Sequence, residues 1–136
     1  MRRRSCSLLL SLPLALAAIV AALAAAPASA ADPLAAGRAV FKRCANCHQV
    51  GPNARSNFGP QLNGIIGRRA GAAPDYAYSP AMKQAGFVWN EKNLAAFLRD
   101  PDKVVPGNKM RFWAMGNERQ IAELLAYLRS FKGANP

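Results

Sequence analysis

The sequence predicts a small all-α domain whose short helices are separated by one long loop segment. Three observations predict it. Apolar residues recur at helical spacing in separate stretches, strand-like alternation is nearly absent, and a span rich in glycine and proline runs from Gln49 to Met82.

Ahead of the domain stands a leader. Arg2, Arg3 and Arg4 begin it, a long apolar run follows from Leu8 to about Ala26, and Ala28–Ser29–Ala30 supplies a small-residue cleavage site. The expected boundaries are a cleaved signal peptide over 1–30 and one domain over 31–136. The alternative is an uncleaved membrane anchor, since a spanning helix needs roughly 17–25 apolar residues. Pro13 and the Ala-x-Ala ending argue against it, and Cys6 leaves with the leader. Losing three arginines leaves 15 of the 18 basic side chains against all 7 acidic ones, a net charge of +8. Export to the periplasm makes nucleic acid a poor match for that charge and an acidic protein surface or an anionic membrane a better one. The charge equally serves solubility.

In chain order, Asp32–Pro33 reads as an N-cap with proline at the first helical position. Leu34, Gly37, Phe41 and Cys44 then share a face of a first helix that delivers Cys44-Ala45-Asn46-Cys47-His48 at its end. Asn90 caps a helix through about Arg99 with Leu94, Phe97 and Leu98 as its stripe; Asp100–Pro101 closes it and opens a short third helix. Asn117, with Gln120 three residues on, opens a final helix lined by Ile121, Leu124, Leu125 and Leu128, for which Gly133 reads as the stop. The intervening Gly/Pro-rich loops are long enough to wrap something.

Two cysteines three positions apart, followed at once by the chain's single histidine, admit three chemistries. A structural zinc site needs about four protein ligands, and the domain offers Cys44, Cys47 and at most His48. A redox dithiol belongs at a helix start beside a parallel sheet, whereas this pair ends a helix and no sheet is expected. Covalent haem attachment remains. The two thiols add to the porphyrin vinyl groups, and His48 is placed to bring an imidazole nitrogen to the iron. With no second histidine, the other axial position falls to Met82, Met110, Met115 or stays open. Met110 is favoured because it follows the Pro106–Gly107 turn, which starts an extended strap, while Met82 and Met115 suit apolar packing.

The stretches GRAVFKRCANCH, FGPQLNGIIGRRAG, FVWNEKNLAAFLRDP, VVPGNKM and LLAYLRSF span nearly the whole domain. In their order and spacing the chain resembles the class I c-type cytochromes, close to mitochondrial cytochrome c and its small soluble bacterial relatives. The resemblance implies an all-α, haem-enclosing cytochrome c fold in which the first and last helices cross at Gly37, Phe41, Leu124 and Tyr127. It implies thioether bonds at Cys44 and Cys47 to one haem c, His48 and Met110 as axial ligands of the iron, and the Pro60 carbonyl accepting from His48. By the same resemblance Arg68, Tyr78 and Trp89 hold a haem propionate and Phe112 lies beside the exposed haem edge.

Three departures stand out: Phe97 where a tyrosine is frequent, Met82 where an asparagine is usual, and Asp102 where a lysine is common. The basic ring around the haem edge then rests on Arg43, Lys103, Lys109 and Arg111. The implied function is a monomeric electron carrier, not an enzyme, between a quinol-oxidising membrane complex of the quinol–cytochrome c reductase type and a terminal oxidase or photosynthetic reaction centre. The competing class, a haem peroxidase, needs a vacant sixth position; a tethered carrier needs the leader retained.

Overall fold

The computed structural model describes residue 32 and residues 34–133. The leader and its cleavage site lie outside the described residues. Among the described residues five helices are joined by loops: α1 (Ala35–Phe41), α2 (Pro80–Gln84), α3 (Glu91–Arg99), α4 (Pro101–Val104) and α5 (Glu118–Arg129). The extended pairing among the described residues is a single bridge between Arg69 and Val88.

Local chemistry explains most boundaries. Asn90 Oδ1 accepts the Asn93 N–H at 2.9 Å and Asn93 Oδ1 accepts the Asn90 N–H at 2.8 Å, so α3 starts with a reciprocal cap. Asp100 does the same service for α4, accepting Lys103 N–H at 3.1 Å ahead of Pro101, whose missing N–H costs nothing at that position. Asn117 accepts Gln120 N–H at 3.1 Å to open α5.

Three expectations are corrected. The first helix starts at Ala35, after a turn in which Asp32 Oδ1 accepts Leu34 N–H at 2.9 Å and Asp32 O accepts Ala35 N–H at 2.9 Å. Residues 42–47 are turns after α1, with Cys44 N–H donating to Phe41 O at 2.8 Å and His48 N–H to Cys44 O at 2.9 Å. The final helix ends at Arg129, where Ser130 Oγ donates to Tyr127 O at 2.7 Å; Gly133 lies beyond and packs against Gly64. Sequence reasoning also missed α2, which the Ser79 hydroxyl caps inside the Gly/Pro-rich span.

Burial follows the helical stripes. α1 crosses α5 at Gly37, where an added Cβ would come within 2.1 Å of Glu123 O, so only glycine lets the backbones approach this closely. Phe41 and Tyr127 meet beside it with ring centroids 5.5 Å apart. α3 packs on α4 and α5 through Leu94, Phe97 and Leu98, and Trp89 extends this core, its ring centroid 5.1 Å from Phe97. Exposed ion pairs from Arg99 to Glu118 and from Arg129 to Glu91 join α3 to α5 at the surface.

Candidate functional site

The helices enclose a cavity of about 420 Å³, within the roughly 300–1,000 Å³ range of cofactor clefts. Its wall is formed by Leu94, Phe97, Leu98, Leu124 and Leu128 from α3 and α5, and by Ile65, Met82 and Trp89 from the segments between. Cys44, Cys47 and His48 enter from the turns after α1, and Met110 and Phe112 from the strap after α4.

His48 is held in one tautomer. Its Nδ1 lies 2.7 Å from Pro60 O, which can only accept, so Nδ1 carries the proton and Nε2 keeps the lone pair a metal requires. Burial pulls the imidazole below its ordinary pKa; the Pro60 carbonyl opposes that shift and the charge of Arg68 adds to it. The ring is therefore neutral at physiological pH. Gly59 backs it from behind: a Cβ there would stand 2.4 Å from His48 Cε1. The neighbouring Cys44 thiol is pushed above its ordinary value by burial, with Arg43 pulling against it.

The strap opposite is fixed at both ends. Gly107 adopts φ +82°, which glycine alone tolerates cheaply after Pro106. Met110 N–H donates to Asn108 Oδ1 at 2.8 Å, and Met115 N–H returns the strap to Leu98 O at 2.9 Å. Lys109 Nζ bonds Ala77 O at 2.8 Å, and the Arg43 guanidinium stands 5.9 Å from the centroid of Phe112, bridging the two sides of the mouth. Arg43, Lys109 and Arg111 all line the cavity, and among the described residues no carboxylate does.

Most residues singled out in the sequence share this wall: Cys44, Cys47, His48, Pro60, Tyr78, Trp89, Met110 and Phe112. Arg68 does not line it. Its Nη2 donates to Gln61 O at 2.7 Å and its Nη1 to Asn63 O at 3.4 Å, bracing the loop under Pro60. Met115 is buried away from the cavity, whereas Met82 is part of its wall. Phe58, Gly59 and Tyr76 went unassigned, although Phe58 and Gly59 fall inside the quoted FGPQLNG stretch; Tyr76 Oη donates to Phe58 O at 3.0 Å at the rim.

The donor set and its surroundings fit a covalently held porphyrin. Two thiols, a neutral imidazole and a thioether converge on an apolar cleft with cations at its mouth. The comparisons with known proteins agree with that chemistry. The family model described as "Cytochrome c" matches residues 34–132. The chain is 50% identical over 98 residues to cytochrome c2 of Agrobacterium tumefaciens, covering 70% of this chain and 88% of that protein. It is 42% identical over 105 residues to cytochrome c2 of Blastochloris viridis, covering 77% and 82% respectively. Among solved structures, cytochrome c2 from Rhodospirillum centenum superposes with a TM-score of 0.69 at 36% identity, over 75% of this chain and 99% of that one.

Proposed function

The chain belongs to the cytochrome c family, an electron carrier with a covalently bound haem c, and from that premise we propose that it shuttles single electrons with His48 and Met110 as axial ligands. The haem supplies a centre that gains and loses one electron without bond making. The observation carrying the proposal is that His48 and Met110 line the same cavity as the two attachment cysteines. His48 offers an Nε2 lone pair while Pro60 holds its other nitrogen, which raises ligand basicity. A thioether in place of a second imidazole favours a higher reduction potential, suited to accepting from a quinol-oxidising complex.

Arg68, Tyr78 and Trp89 would hold a propionate. Tyr78 and Trp89 come from the cavity wall, and Arg68 contributes its field from behind Tyr78. The cationic mouth suits docking on an acidic face of a membrane redox complex. Delivery would be to a terminal oxidase or a reaction centre through the edge beside Phe112, from a monomeric domain freed of residues 1–30 in the periplasm. The test is reduction by quinol-oxidising membranes at increasing salt. The rate falls, because exposed charges beyond a Debye length of about 10 Å at 0.1 M are screened; a flat profile removes the docking role of Arg43, Lys109 and Arg111.

A further inference from the structure

Asn108 is a buried polar side chain, 3% exposed, between α4 and Met110. Every polar atom it owns is engaged. Its backbone N–H donates to Val105 O at 3.1 Å, and its Nδ2 donates both to Asp102 Oδ1 and to Val105 O at 3.0 Å. Its Oδ1 accepts the Met110 N–H at 2.8 Å, and its carbonyl accepts from Arg111 Nη1 at 3.4 Å. These partners dictate which way the amide faces: two acceptors lie on the NH₂ side and one donor on the oxygen side, so a flipped amide would set N–H against N–H.

We propose that Asn108, oriented by Asp102, is a positioning residue that fixes where Met110 enters the cavity. The inference rests on Met110 being the sixth ligand. A methionine side chain has three rotatable bonds, and the turn before it contains a glycine in the left-handed region, so nothing in the side chain itself presets the thioether. The backbone must do so. Asn108 ties the Met110 N–H back to the end of α4, and the Asp102 carboxylate, on the exposed first turn of α4, strengthens that tie as a charged acceptor. A lysine at 102 would offer no acceptor at all.

The test uses ferric holoprotein and free imidazole, which competes for the iron position assigned to Met110, together with the thermal midpoint of each variant. Asn108→Ala binds imidazole about tenfold tighter and Asp102→Ala about two- to threefold tighter, the loss of a net hydrogen bond in each case. Asp102→Asn, whose neutral amide oxygen still accepts from Nδ2, falls between Asp102→Ala and the starting affinity. Asp102 is exposed, so its variants carry the test if Asn108→Ala fails to mature. Lowered thermal midpoints with unchanged imidazole affinity in both alanine variants would make the pair merely structural and overturn the proposal. Met110→Ala separates the premise: if it too binds imidazole no tighter, the ligand assignment itself falls.

Discussion

At the scale of single residues, the His48 ring is gripped by what is present on one side and by what is missing on the other. Pro60 O holds Nδ1 at 2.7 Å, and the bare α-carbon of Gly59 leaves room for the ring edge. Gly59→Ala therefore has to move the imidazole or the loop, and we expect about 1–3 kcal/mol of lost stability with a shifted redox midpoint, both measurable on holoprotein. Tyr78 gives a pH prediction. Burial raises its phenol above the ordinary value and Arg68 opposes this only in part. Its contribution is fully present below the unfolded tyrosine pKa of about 10 and is lost as pH climbs through the folded value. Tyr78→Phe should flatten the alkaline fall in stability. The two cysteines and the histidine were legible because they stand within five consecutive positions, and the structure brings all three to one cavity. Gly59 was not: in sequence it resembles the turn glycines around it, and its reason lies eleven residues back, in the ring of His48. Asn108 was hidden likewise, since its partners are defined only once α4 and the strap are folded.

At the scale of elements, stability concentrates where α1 crosses α5. Gly37 faces backbone there, Glu123 O at 2.1 Å from a built Cβ, which no rotamer change can relieve. Gly37→Ala should cost several kcal/mol, at or above the usual 1–3 kcal/mol of overpacking, despite alanine's better helix propensity. Thermal unfolding of the holoprotein reads it. Only a midpoint at or above wild type, the propensity result, would contradict close packing at this crossing. The starts of α3, α4 and α5 were legible because Asn90, Asp100 and Asn117 cap them with local bonds that need no tertiary context. The first helix was misjudged at its start because Asp32 Oδ1 does reach Leu34 N–H, as a cap would, while the regular helix begins only at Ala35. α2 has five residues and lies among glycines and prolines, so its Ser79–Pro80 start had no periodic stripe to reveal it.

At the scale of the whole molecule, the seven acidic side chains are engaged locally, in ion pairs, helix caps or loop bonds such as Asp75 with Ser56, while the mouth of the cavity carries Arg43, Lys109 and Arg111. Composition revealed the positive balance but not this segregation, which depends on the loops that bring residues 43 and 109–111 to one rim. The apolar wall is likewise built around a group the chain does not encode, which explains why so short a domain spares so much length for loops. In the function proposed above, sulfur from Met110 and nitrogen from His48 meet the same iron. The most direct measurement is the near-infrared absorption of the ferric holoprotein at neutral pH, where sulfur-to-iron ligation gives a weak band. Ligation by Met110 gives the band in the wild-type protein and its loss in Met110→Ala; a wild-type spectrum without it, or a band that survives the substitution, would rule that ligation out.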